Sequence, residues 1–229
     1  MLTNKTTMII AAGGSSRRFG GEKNKLLCDY NNKPLIVHAL ETFCPVISRD
    51  RMIVAAPVDL LEQMRSVVEK HLPGNSIIWT LGGKTRVHSV IKALQAVPDD
   101  TDLLAIHDAA RPLATVDLLT GLCAAAALIG GAVPGQTPVD TIKVVNADNL
   151  VTGNPVRKDL AAVATPQVFD FHRYQAAVKT LDDRIVNGEI DDPSLTDDAA
   201  IFMHGGGQVK VVFSSFPNPK ITYINDLQK

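Results

Sequence analysis

Short apolar runs that alternate with amphipathic ones predict an α/β fold, a mainly parallel sheet with helices on both faces. The runs themselves are the first observation. Thr7–Ala12, Arg51–Ala56, Ser76–Leu81 and Asp102–Ile106 have strand length and are rich in Ile, Val or Leu. The second observation is what lies between them. Pro34–Phe43, Val58–His71 and Thr85–Val97 have helical character, and Val87, Val90, Ile91 and Leu94 share one face of the last. The third is size: 229 residues with 45% hydrophobic content suffice for a single domain over 1–229 with a proper core.

Later elements follow by the same reasoning. Leu118–Val133 is an alanine- and glycine-rich run that Gly130-Gly131 break before it reaches the roughly 20 residues of a membrane span, so a buried helix followed by a strand is expected. Beyond Pro134 the rhythm changes. Val139–Val145, a polar turn near Ala147–Asn149 and Leu150–Val156 read as a hairpin, a projecting β-arm at about 138–164. Helix is expected again over Phe169–Leu181, and a loop rich in Asp, Gly and Pro over Asp182–Pro193. Thr196-Asp197-Asp198 has the acidic residues of a helix start. Strands at Val209–Phe213 and Ile221–Ile224 close the chain.

Composition narrows the function. A formal net charge of -1 with 21% charged residues argues against a general nucleic-acid binder, so basic chemistry must be local. Cys28, Cys44 and Cys123 form neither a CxxC pair nor an even framework, which suits a reduced, cytoplasmic setting. The start, Met1–Lys5, leads straight into a strand without the pattern of a signal peptide, and no membrane partner is expected. The histidines have no metal-ligand spacing, Ser89 has no evident base, and neither a zinc site nor a Ser-His-Asp triad is supported.

Ligands of parallel sheets bind beyond the carboxyl ends of the strands, so the residues just after each strand carry the functional reading. After the first strand comes Gly13-Gly14-Ser15-Ser16-Arg17-Arg18, with Lys25 soon after. Backbone N–H groups of such a small-residue turn can face an anion, and fixed cations stand beside them. Gly82-Gly83-Lys84-Thr85-Arg86-Val87-His88-Ser89 follows the third, and His107-Asp108-Ala109-Ala110-Arg111-Pro112 the fourth. Gly83-Lys84-Thr85 resembles the tail of a P-loop, but Ile78 stands where that motif needs glycine. The first turn lacks G-x-G-x-x-G, and the second strand ends in Ala55-Ala56-Pro57 without the acid of a dinucleotide site.

What the turn offers is cation density. A triphosphate that loses pyrophosphate gathers negative charge on the attacked phosphorus and the leaving group, and fixed arginine, lysine and backbone donors stabilise it. A solvated basic loop is the plainer alternative. Asp108, at a strand end, can hold Mg2+, accept a bond from a ribose hydroxyl, or cap the next turn.

These residues, taken together, resemble the 2-C-methyl-D-erythritol 4-phosphate cytidylyltransferase family. Ala11-Ala12-Gly13 through Arg18-Phe19, Lys25, Gly82-Gly83-x-x-Arg86-x-x-Ser89-Val90 and His107–Pro112 carry the likeness. Asp140-Thr141, Arg157, Thr165-Pro166-Gln167, Thr196–Ala199 and Lys220 continue it in order. The glycine turn alone would indicate only a Rossmann-like, nucleotidyltransferase-type fold; the HDAARP stretch with TPQ downstream is more specific.

The resemblance implies transfer of a cytidylyl group from CTP to methylerythritol phosphate, with Mg2+, releasing pyrophosphate on the non-mevalonate isoprenoid route. It implies Arg18 and Lys25 as catalytic residues that stabilise the pentacoordinate phosphorus. Ala11, Ala12, Gly13, Gly14, Ser15 and Ser16 would hold the triphosphate. Gly83, Arg86 and Ser89 would contact the cytosine and nearby nucleotide, and Asp108 with Ala109 the ribose, Asp108 also the metal. Arg157, Thr165 and Lys220 would bind the phosphosugar alcohol, while Asp140 and Thr141 match arm residues that reach across a homodimer. Three departures stand out: Ser15-Ser16 with adjacent Arg17-Arg18 where a shorter turn is common, Asn24 in place of proline, and Lys84 where an acid is frequent. Phe19, in the usual methionine place, favours Arg18 over Arg17. A ribitol-5-phosphate cytidylyltransferase shares most of these motifs and is the alternative; the acceptor pocket separates the two.

Overall fold

The computed structural model describes residues 5–13, 19–20, 24–74 and 76–228. Its first half contains β1 (Thr6–Ala11), β2 (Asp29–Tyr30), β3 (Lys33–Pro34), α1 (Leu35–Glu41), β4 (Met52–Ala56), α2 (Leu61–His71), β5 (Ile78–Leu81), α3 (Arg86–Ala93) and β6 (Leu103–Asp108). The second half contains α4 (Val116–Ile129), β7 (Gly131–Gln136), β8 (Val144–Val145), β9 (Val151–Gly153), β10 (Ala162–Val163), β11 (Gln167–Asp170), α5 (Phe171–Val178), α6 (Asp183–Val186), α7 (Asp198–His204) and β12 (Val209–Phe213).

An eight-stranded sheet runs β10-β7-β11-β6-β1-β4-β5, with β12 paired to β7. The half built from β6, β1, β4 and β5 is parallel throughout. Its strands therefore end along one edge, and the loops that follow them meet there. On the other side β11 runs antiparallel to both β6 and β7.

Each buried strand feeds two cores. Met8, Ile10 and Ala12 of the first strand and its exit pack with α1, α2 and α4 on one face, while Ile9 packs on the other with α3, α5 and α7. That is the period-two alternation of a pleated strand between helical layers. The face of α3 expected from spacing is the buried one: Val87, Val90, Ile91 and Leu94 all belong to the second core. Among the described residues no helix is long and apolar enough to cross a membrane.

The hairpin expected after Pro134 is present as β8 paired antiparallel with β9, though its strands are shorter than the sequence suggests. Residues 139–152 are exposed, and they include the apolar side chains of Val139, Ile142, Val144, Val145, Leu150 and Val151.

Three expectations are corrected. The loop expected over Asp182–Pro193 opens with the short helix α6, because the Asp182 side chain caps it by accepting from the Arg184 N–H. The helix placed at Phe169–Leu181 begins two residues later, because Gln167–Asp170 pairs with β6 and β7 and forms β11 first. The strand placed at Ile221–Ile224 does not form. The Ile221 N–H bonds the Ala110 carbonyl at 2.8 Å, no ladder follows, and a short 3-10 turn begins at Ile224.

Phe169 is fully buried in β11, with its ring centroid 5.1 Å from that of Tyr174 and 5.0 Å from that of Phe202. Phe169→Ala is expected to cost about 3–5 kcal/mol of stability, read as a lower urea midpoint with an unchanged slope.

Candidate active site

At the carboxyl edge of the parallel strands lies a cavity of about 280 Å³, lined by Ala11, Gly13, Lys25, Leu26, Lys84, Thr85, Arg86, Ser89, Asp108, Ala110 and Lys220. The strand ends singled out in the sequence thus meet, together with a C-terminal segment distant in the chain.

The floor is built for close approach. A Cβ on Gly13 would stand 3.0 Å from Ser89 Oγ, and one on Gly83 would collide with the His88 ring. Ser89 is buried and holds the turn: its hydroxyl accepts from the Gly83 N–H at 2.9 Å and donates to the Thr85 carbonyl at 2.8 Å. Thr85 caps α3, accepting from the His88 N–H at 3.1 Å, which aims Arg86 from the first turn toward the sheet edge.

Asp108, at the end of β6 and 6% exposed, is the electrostatic centre. Arg86 Nε donates to Oδ1 at 2.9 Å and Lys220 Nζ to Oδ2 at 2.8 Å, while Arg111 Nε lies 3.7 Å from Oδ2. Burial opposes the ionised carboxylate, but Arg86 and Lys220 outweigh it and hold the carboxyl well below its usual range. Arg86 also faces Asp198, whose Oδ2 is 2.7 Å from Nη2. Burial would disfavour the guanidinium charge, yet Asp198 and Asp108 together keep it more firmly protonated than usual.

The backbone of Asp108 is held too. Its N–H donates to Thr165 Oγ1 at 3.0 Å, and that hydroxyl lies 3.0 Å from His107 Nδ1. The Arg111 carbonyl, 3.1 Å from His107 Nε2, can only accept, so neutral His107 is the Nε2–H tautomer. Its bare Nδ1 then accepts from the Thr165 hydroxyl. Burial, set against the nearby Asp108 charge, lowers the His107 pKa to about 4.

The C-terminal segment closes the cavity. Asn218 donates to the Thr165 carbonyl at 2.7 Å and accepts from Arg111 Nη1 at 2.6 Å through its own carbonyl, and Lys25 Nζ donates to the Ile221 carbonyl at 2.7 Å.

Of the residues expected at the site, Ala11, Gly13, Lys25, Arg86, Ser89, Asp108 and Lys220 line this cavity. Ala12 and Ala109 stand behind it, fully buried, with N–H groups spent on the Ala55 and Ala11 carbonyls. Gly83 serves through its N–H on Ser89. Thr165 is buried and supports Asp108 from beneath. Gly14, Ser15, Ser16, Arg17 and Arg18 lie outside the described residues.

Asp140, Thr141 and Arg157 are exposed on the hairpin and are not among the cavity residues; there Arg157 Nη2 donates to Thr141 Oγ1 at 3.1 Å. Sequence reasoning gave no role to Lys84, Arg111 or Asp198. Proximity to the glycine turn signals Lys84, and the helix-start acid run contains Asp198, but nothing local pairs it with Arg86.

The arrangement suits a ligand with several negative charges. Lys25, Lys84, Arg86 and Lys220 surround the cavity, and Asp108 is its one acidic lining residue among those described.

Known proteins give the same direction. The family model described as 2-C-methyl-D-erythritol 4-phosphate cytidylyltransferase matches residues 6–229. A protein of that description from a Synechococcus strain is 36% identical over 222 residues, covering 96% of this chain and 95% of the relative. Another from Clostridium botulinum is 30% identical over 224 residues, covering 98% and 95%. Among solved structures, 4-diphosphocytidyl-2C-methyl-D-erythritol synthase from Anaerococcus prevotii superposes with a TM-score of 0.81 at 24% identity, covering 98% of this chain and 93% of that one. At that identity the superposition speaks to the fold, an α/β sheet flanked by helices.

Buried neutral His107 makes stability depend on pH. As pH falls through the ordinary histidine value of 6.5 the unfolded chain takes up a proton that the folded chain refuses until about 4, so stability present above 6.5 is lost between those values. From about pH 7.5 to about pH 5, His107→Gln is expected to lose about 2 kcal/mol less than the parent, compared by urea unfolding at both pH values.

Proposed function

The chain belongs to the 2-C-methyl-D-erythritol 4-phosphate cytidylyltransferase family, and from that premise we propose how its site transfers a cytidylyl group from CTP to methylerythritol phosphate. The observation that carries the reading is the cavity at the strand ends, ringed by Lys25, Lys84, Arg86 and Lys220 around one buried carboxylate. The family and both relatives are named for methylerythritol phosphate, which favours it over ribitol phosphate as acceptor.

The acceptor's phosphate oxygen attacks the α-phosphorus of CTP in line. One P–O bond forms, the bond to the β-phosphate oxygen breaks, and pyrophosphate leaves. A phosphate monoester has its second pKa near about 6, so the attacking group is largely a dianion at neutral pH and no strong base is required. The chain's work is positioning and charge stabilisation. Lys25 and Arg18 meet the charge that gathers on the α-phosphorus, and the turn from Gly13 to Ser16 holds the triphosphate. Ser89 keeps the Gly83 turn against the nucleotide, and Asp108 faces the ribose. Lys220 exchanges its carboxylate partner for the acceptor phosphate.

Mg2+ is proposed as the counter-ion, neutralising triphosphate charge when bound. Asp108 already meets three cations, and no cluster of three acidic, histidine or cysteine ligands occurs among the described residues. Those donors do not form a resident metal cage; they suit an ion that CTP brings in on its own oxygens and water.

The active form is proposed to be a cytoplasmic homodimer. The exposed apolar side chains of the hairpin support the dimer, as does the exposed position of Asp140, Thr141 and Arg157 outside the cavity lining. These residues would complete a partner's site.

Lys25→Ala and Arg18→Ala are expected to lower kcat by at least about a hundredfold, with the circular-dichroism spectrum unchanged. Pyrophosphate release from CTP and methylerythritol phosphate is the measurement, and parental turnover in either variant would remove that residue from the chemistry. Arg157→Ala is expected to raise KM for the acceptor about tenfold while KM for CTP stays within about twofold. Equal rises for the two substrates would count against its place at the acceptor.

A further inference from the structure

Arg86 is shared between two carboxylates in different settings. Asp108 faces the cavity; Asp198 has no exposed surface and opens α7 directly after its capping residue Asp197. A buried carboxylate is costly unless it is paired and hydrogen-bonded. Asp198 has both kinds of partner: Arg86 Nη2 at 2.7 Å from Oδ2, and the buried Tyr174 hydroxyl donating to Oδ1 at 3.0 Å. Burial and the Asp198 charge together raise the Tyr174 pKa, which keeps that hydroxyl a donor.

We propose that Asp198 is a positioning residue, fixing Arg86 from behind and so setting the direction in which Asp108 presents its carboxylate to the nucleotide. The inference rests on the cytidylyl-transfer reading of the site.

Geometry distinguishes this from packing. Arg86 touches Asp108 through Nε, a single point about which a planar guanidinium can turn. The second contact, the ion pair from Nη2 to Asp198 Oδ2, limits that freedom by holding a second point of the rigid guanidinium. The anchor is itself tied to the segment that carries Asp108. Gln167 Oε1 accepts from the Ala199 N–H at 3.0 Å and Nε2 donates to Asp197 at 2.8 Å, while Thr165, two residues earlier, takes the Asp108 N–H at 3.0 Å. The chain from Thr165 to Gln167 thus holds both acids in one frame.

Asp198→Asn keeps the volume and can still accept from Tyr174 while removing the charge that holds Arg86. Its CTP dissociation constant, measured by titration calorimetry, is expected to rise about tenfold. In an Asp108→Asn background the same change is expected to add less than about twofold, because the group through which it acts is gone. A role confined to packing would instead multiply the two losses, and that additivity would overturn the proposal.

Tyr174→Phe, which deletes one bond to Asp198 with little change of volume, carries the test if Asp198→Asn does not fold. A several-fold weakening of CTP that vanishes beside Asp108→Asn supports the role; unchanged affinity overturns it. Parental protein that releases no pyrophosphate from CTP with methylerythritol phosphate would overturn both readings. Parental turnover with additive variants would overturn the positioning role alone.

Discussion

Burying the Asp108 carboxylate at the end of β6 is the commitment that shapes this site. An ion withdrawn from water costs several kcal/mol unless cations and donors replace its hydration. Here they come from separate segments that converge at the sheet edge: Arg86 from the start of α3, Arg111 from the turn after β6, and Lys220 from the C-terminal segment. Thr165 adds the backbone clamp from just before β11. One buried charge therefore ties four regions of the chain to one strand end.

The links are unequal, and the inequality is useful. Arg86 is gripped on two sides by acids that are nearly or wholly buried, so moving it would strand charge in the interior. Lys220 is 38% exposed, and solvent can take over much of its charge if it leaves Asp108. A phosphate entering the cavity can thus draw Lys220 away at small cost while Asp108 stays paired. Rigid and exchangeable cations stand on the same carboxylate, which suits a site that must hold one ligand in place and admit another.

Much of this was legible in the sequence, for a physical reason. Parallel strands expose their chemistry at one edge, so reading the residues just after Thr7–Ala12, Ser76–Leu81 and Asp102–Ile106 found Gly13, Lys25, Arg86, Ser89 and Asp108 together. What escaped was decided by tertiary pairing. Phe169 and Asp170 read as helix because they run into Phe171 without a break, and only hydrogen bonding to β6 and β7 makes them strand. Ile221–Ile224 has strand composition but no neighbour to form a ladder with, since Ile221 spends its N–H on Ala110. The Arg86–Asp198 pair joins the first turns of two helices far apart in the chain, a contact that no local pattern encodes.

The hairpin sets the remaining constraint. β8 and β9 are very short, and a two-stranded ribbon alone in water is marginal. This one also exposes Val144, Val145, Leu150 and Val151, side chains that favour burial. Its polar residues, meanwhile, are organised: Arg157 donates to Thr141, and Lys143 to Asn154. An element with an uncovered apolar surface and ordered polar groups is better explained as half of a contact than as a loop. In the proposed dimer the apolar side chains would bury against the second copy, and the Thr141–Arg157 pair would be carried to an acceptor that the chain's own cavity lining does not reach. Stability of the arm and completion of the site would then be the same event, which gives association a direct hold on catalysis.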